Sequence, residues 1–133
     1  MTDGIEPLQV ARQWVEKAEE DLTNAQHTLT LKERCPYGTI CFHAQQVAEK
    51  YLKSLLAYCE IPFPRSHDLL DLFRRLQNGP QIQLEPLDLA ILNRYAVEVR
   101  YPGNWEPISR EEAEDAVALA EKIRREIRRH LPL

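Results

Sequence analysis

Glycine is scarce in this chain: Gly4, Gly38, Gly79 and Gly103 are the whole complement, and no cluster of them could cradle a phosphate. The Walker and dinucleotide-binding signatures are therefore absent. Cysteine is scarce as well. Cys35, Cys41 and Cys59 make an odd number, and the opening MTDGIEPLQV is acidic and lacks the apolar stretch of a secretory leader. Reduced thiols in a soluble, cytoplasmic protein are expected, not a disulfide framework. Cys35 and Cys41 are too far apart for a zinc knuckle, and no second Cys/His pair follows at ligand spacing. No apolar run is long enough to span a bilayer, so no membrane partner is expected. Nor is positive charge in excess: 17 basic against 21 acidic side chains give a net charge of −4. That excludes a protein that coats nucleic acid through broad phosphate neutralisation, but not one with a local basic patch. With no spaced Ser–His–Asp set and no helical His/carboxylate metal motif, no cofactor, metal or complete catalytic group is expected.

What the chain does have is helical periodicity. Its 133 residues fit one domain, 1–133, able to bury roughly 65–70% of the unfolded surface. Apolar residues recur at helical spacing almost throughout, and no stretch alternates with the period of a strand. The first helix is predicted from about Leu8 to Leu31, with Ala11, Trp14, Val15, Ala18, Leu22, Ala25 and Leu29 on one stripe. RCPYG breaks it. A second helix, about Tyr37 to Cys59, carries Ile40, Ala44, Val47, Ala48, Tyr51, Leu52 and Leu55. After the two-proline connector EIPFPRS, Ser66 reads as the N-cap of a short third helix. The fourth is predicted over about Leu84 to Tyr101, with Pro86 in its first turn. In the fifth, SREE supplies a capping box, Ser109 with Glu112. The expected architecture is an all-α, up-and-down bundle of about five helices.

Two of these helices are more apolar than a surface helix requires. In the second, Phe42, Gln46, Glu49, Lys53 and Leu56 fall together, opposite the core stripe. In the fourth, Leu87, Ile91 and Tyr95 form a second row beside Leu89, Leu92, Ala96 and Val99. Either both helices are central, or a second surface packs against a homodimer mate or partner protein.

Several segments carry a resemblance when taken in order: AEEDLTNAQ, FHAQQVAEKYLKSLL, RSHDLLDL, VEVRYP and SREEAEDAVALAEKI. Together they span nearly the whole chain, and it resembles the HEPN domain family. The resemblance implies a helical bundle that often dimerises. It also implies frequent encoding beside a minimal nucleotidyltransferase, with a role in toxin–antitoxin or defence systems. Many members are metal-independent ribonucleases that carry an arginine, four to six intervening residues, and then a histidine. Arg100 stands where the family places its arginine, but Trp105, Glu106 and Pro107 occupy the positions open to the histidine. The group that would move protons near neutral pH is missing.

Arg100 and Tyr101 could hold phosphate and a base, or cap carbonyls at a helix end. Lys50 and His67 complete a candidate nucleotide or RNA phosphate site, although His67 could equally anchor the connector by a hydrogen bond. His43 and Lys50, seven apart, share a helix face. A ribonuclease with an atypical site, Arg100 with His67 or Glu106, is the alternative, and a purely structural dimer is the third reading. Trp105 is expected to seal the core. The basic cluster Lys122, Arg124, Arg125, Arg128 and Arg129 follows acidic residues on one helix, which suits the helix dipole better than a nucleic-acid surface. Arg125 and His130 match the ribonuclease spacing by coincidence.

Overall fold

Small residues decide how closely the first two helices approach. In a computed structural model that describes residues 6–96 and 107–133, α1 (Pro7–Thr28) buries Ala11, Val15, Ala18, Leu22 and Ala25 at spacings of three and four. Three of those five are alanines, so the backbone of α2 (Tyr37–Tyr58) can lie close along α1. Between them Arg34 adopts a positive φ of 53°, and Cys35 Sγ donates to the Thr28 carbonyl at 3.3 Å. None of the three cysteines forms a disulfide.

α2 is the central helix. It packs against α1, α5, α3 and α4, and buries residues on every side, from Ile40 and Ala44 to Leu52, Leu55 and Leu56. Its end is a Schellman motif: Ile61 N–H donates to Leu56 O at 2.9 Å and Glu60 N–H to Ala57 O at 3.1 Å. Glu60 holds the left-handed position at φ 56°.

Two helix boundaries differ from the periodicity. α3 is Leu69–Arg75, followed by a 3-10 turn over Leu76–Asn78, and its N-cap is Asp68, not Ser66. The Asp68 carboxylate accepts from the amides of Leu70 and Asp71, whereas Ser66 Oγ accepts from Asp68 N–H at 3.1 Å and forms only the turn before the cap. α4 is Pro86–Asn93, shorter than the predicted span to Tyr101. Beyond it the amides of Arg94, Tyr95 and Ala96 reach back three residues, to Ile91, Leu92 and Asn93. That tightening ends the α-helix and turns Tyr95 inward, where its hydroxyl donates to Glu112. The RYPGNW segment, with Arg100, Tyr101 and Trp105, lies outside the described residues, as do Val99 and Glu106.

α5 (Arg110–Arg128) starts as the sequence indicates, with Ser109 Oγ accepting from Glu112 N–H at 3.1 Å. It lays Ala113, Ala116, Val117, Ala120, Ile123 and Ile127 into the core. Five α-helices and no strand are found among the described residues, an all-α bundle. None of these helices is long and apolar enough to cross a membrane.

Candidate functional site

Asp21, on the polar edge of α1, organises one side of α2. Its two oxygens take His43 Nδ1 at 2.8 Å and Lys50 Nζ at 2.5 Å, and all three side chains are largely covered. Seven residues bring His43 and Lys50 to the same helix face, as the sequence indicates, but that face is closed by a carboxylate. Lys50, placed in the candidate phosphate site, is thus already in an ion pair.

Glu49 points elsewhere. Its Oε2 accepts from Lys53 Nζ at 2.9 Å, four residues on. Its Oε1 takes His67 Nδ1, also at 2.9 Å. Gln45 Nε2 reaches the same oxygen at 3.4 Å and the His67 carbonyl at 3.1 Å, while Gln46 Nε2 donates to Gln45 Oε1 at 2.7 Å. The Lys53 ammonium also lies 5.3 Å from the centre of the Trp14 ring, and Trp14 meets Phe63 edge to face. One end of this network is deeply buried and the other is open. The Glu49 side chain is 4% exposed, the His67 side chain 68%. His67 does anchor the connector, through both its ring and its carbonyl.

Of the two readings open for the row Phe42, Gln46, Glu49, Lys53 and Leu56, the central helix fits the burial: most of the row lies inside the chain. Leu56 is fully buried, and Glu49 and Lys53 nearly so, within a single chain; Phe42 and Gln46 are half-buried. The reason is the central position of α2, which leaves only the start of that row near the surface. On α4 the second row is also divided: Leu87 is 70% exposed, while Tyr95 is buried.

The start of α3 is pinned by the end of α4. Asn93 Oδ1 accepts from Leu69 N–H at 2.8 Å, and its Nδ2 donates to Asp68 Oδ1 at 2.9 Å. The Asn93 bond, with the two capping amides, holds the Asp68 carboxyl below its usual range. His67 directly precedes this pinned cap.

Four of the five basic residues clustered on α5 have internal partners. Arg124 makes a two-pronged contact with Glu19 at 2.8 and 3.0 Å. Arg128 donates to Tyr51 Oη at 3.1 Å, Lys122 pairs with Asp88 at 3.0 Å, and Arg129 pairs with Glu126 at 2.6 Å. His130 also binds Glu126, at 3.1 Å. Acidic Glu111 and Glu112 in the first turn and basic Arg125 and Arg128 in the last fit the dipole explanation.

Of the four candidate phosphate residues, Lys50 and His67 are described and have different carboxylate partners, Asp21 and Glu49. Sequence reasoning missed Glu49 as the hub, having placed it on an interface, and missed Asn93 and Asp21 entirely. The Gln45–Glu49–Lys53 spacing of four was the available signal. Among the described residues no group of three or more His, Cys, Asp or Glu is placed to hold a metal ion.

The HEPN domain profile matches residues 11–130. The chain belongs to the HEPN domain family. The similarity extends to solved structures. TT1696 from Thermus thermophilus is 31% identical with a TM-score of 0.73, over 90% of this chain and 96% of that one. ST0689, described as an archaeal HEPN homologue, is 25% identical with a TM-score of 0.70, over 91% and 97% of the two chains. No curated protein matches the chain significantly. The resemblance seen in the ordered segments of the sequence, and the all-α bundle it implies, both hold for this HEPN domain.

Proposed function

We propose that this HEPN domain works by association. It would act as a homodimer and as the partner of a minimal nucleotidyltransferase in a toxin–antitoxin or defence-type module, and it would bind a phosphate-bearing ligand, nucleotide or RNA, weakly. The observation that carries this reading is the missing histidine: Trp105, Glu106 and Pro107 stand where the family's ribonucleases carry theirs. Metal-free RNA cleavage needs one group to take the proton of the 2′-hydroxyl and one to protonate the leaving oxygen. Glu106 would do this poorly beside phosphate, because its carboxylate is repelled by the ligand's charge. Lys50 is paired with Asp21, so a phosphate would compete with that carboxylate for it, in keeping with weak binding.

One observation favours the ribonuclease alternative. The exposed ring of His67, backed by Glu49, is the type of group that acid–base chemistry uses.

Incubation with single-stranded RNA in the presence of chelator separates the two readings. No cleavage above background is expected. Cleavage lost in both Arg100→Ala and His67→Ala would replace association with catalysis. Co-expression with the product of the neighbouring reading frame should yield a stable complex if that product is a nucleotidyltransferase. Its failure to co-purify would remove the partner from the reading.

A further inference from the structure

Glu49, Lys53 and Gln45 are each more than nine-tenths buried, and their network reaches solvent through the His67 ring. An anchor for a connector would not need an ion pair inside the core, since burying two charges is costly and apolar residues of similar volume usually serve as well. What this pair does provide is orientation. A carboxylate oxygen can only accept, so the Glu49 contact at 2.9 Å requires His67 Nδ1 to carry the proton. Gln45 fixes the other end of the residue by donating to the His67 carbonyl at 3.1 Å.

We propose that Glu49 is the positioning residue of a phosphate-binding histidine. By accepting from Nδ1–H it fixes the orientation of the His67 ring and turns Nε2 to solvent, where, in the protonated ring, Nε2–H meets a phosphate oxygen. This rests on the phosphate-binding reading above, and adds which atom does the binding and what aims it. The local charge favours an anion. Glu49 and Lys53 cancel, so the protonated ring leaves the network with one net positive charge, and Arg65 is exposed two residues earlier. The adjacent Asp68 is occupied with the amides of Leu70 and Asp71 and the side chain of Asn93, under the influence of Arg74. As imidazolium, Nε2–H donates a charge-assisted hydrogen bond to the ligand. Affinity therefore depends on the ring being protonated.

The test uses the full chain with 15N-labelled histidine and two probes, AMP and the dinucleotide ApA. The phosphodiester of ApA keeps its charge across the pH range, so it reports the pH profile of the protein alone. Long-range 15N–1H spectra should show wild-type His67 protonated on Nδ1 when neutral, with Nε2 shifting as either probe saturates. Binding of AMP alone points to a nucleotide ligand, and binding of ApA to an RNA strand. Glu49→Gln should weaken the tautomer preference, reduce affinity several-fold and flatten the pH profile. Because that variant leaves the Lys53 ammonium without its carboxylate, the apolar pair Glu49→Leu with Lys53→Met, checked for folding by circular dichroism, carries the same expectation. A neutral wild-type ring that carries its single proton on Nε2 overturns the proposal. So does an Nε2 signal unmoved at saturation, or a folded double variant with unchanged affinity and pH profile. Binding that survives His67→Asn in full removes His67 but leaves the phosphate reading to Lys50 and Arg100. No saturable binding of either probe to the wild type removes that reading as well.

Discussion

Tyr51 donates its hydroxyl to Glu19 across the α1–α2 interface at 2.5 Å, while Arg128 of α5 donates to the same hydroxyl at 3.1 Å. With Arg124 gripping the Glu19 carboxylate from α5, one tyrosine and one glutamate join three helices. Burial pushes the Glu19 carboxyl upward, but the bonds from Arg124 and Tyr51 outweigh it and leave the group below its usual range. Burial raises Tyr51, and Glu19 raises it further.

A depressed carboxylate stabilises the fold above the unfolded value, about 4.3 for glutamate, and that contribution disappears as pH falls through the lower folded value. Glu19→Gln should therefore lower the melting temperature near neutral pH and converge with the wild type in acid. Glu19 is about a third exposed, with 36% of its side chain accessible, so solvent screening limits the gap to about 1 kcal/mol. Thermal melts of both proteins from pH 2 to 7 decide it; a gap that is constant or widens toward acid contradicts the assignment. Tyr51→Phe should cost about 1 kcal/mol near neutral pH and less in acid, since it removes a bond to the ionised Glu19 carboxylate as well as a partner of Arg128.

Glu60 is the second place where a single residue sets a boundary. A side chain in the left-handed region costs roughly 1–2 kcal/mol, and the Schellman motif holds Glu60 there at φ 56°. Glu60→Gly should raise stability slightly, because relief of strain is partly offset by the greater freedom of glycine in the unfolded chain. Glu60→Val should lower it by about 1 kcal/mol or more, as a branched side chain suits that region least. Urea denaturation of the three proteins should rank Gly above Glu above Val. Any other order would mean the cap does not carry this strain.

The order of the helices, the Ser109 cap and the core faces of α1, α2 and α5 were legible because each is local, written in spacings of three and four. The early end of α4 was not. Leu89, Leu92 and Ala96 keep helical spacing past Asn93, and what stops the helix is tertiary: Asn93 turned to Asp68 and Leu69, and Tyr95 turned to Glu112. Ser66 and Asp68 are both good caps in isolation, and Asn93, a contact 25 residues away, favours Asp68. The same holds at the candidate site. His67 was visible as a residue, but its role depends on Glu49, which periodicity placed opposite the core stripe without deciding between a surrounded helix and an interface.

The homodimer can be tested against that lesson. Leu56 belongs to the core, so Leu56→Ala should cost about 2–5 kcal/mol whatever the oligomeric state. Phe42 is half-buried, and Phe42→Asp should dissociate the dimer and leave a folded monomer. Light scattering at micromolar concentration, with circular dichroism alongside, reads both effects. A wild type of monomer mass across that range counts against the dimer, and a Phe42→Asp variant that unfolds assigns Phe42 to the core.

The last prediction concerns Lys50, whose charge is at present shared with Asp21 at 2.5 Å. If Lys50 contributes to phosphate binding, Asp21 competes with the ligand for the same ammonium. Asp21→Asn should then strengthen binding of AMP, by a factor of about 3–10, since about 1.4 kcal/mol is tenfold. Affinity should also become more sensitive to salt, because a larger share of it would be charge–phosphate attraction. Arg100→Ala should lose more than Lys50→Ala, as a guanidinium can engage two phosphate oxygens at once. Asp21 also holds His43 at 2.8 Å, so His43→Gln in an otherwise wild-type chain isolates that contact and should leave affinity unchanged. Calorimetric titrations of the four variants at two salt concentrations give the comparison. An Asp21→Asn protein that melts earlier and binds AMP no better would make the Asp21–Lys50 pair a clamp between α1 and α2, and leave phosphate to His67 and Arg100.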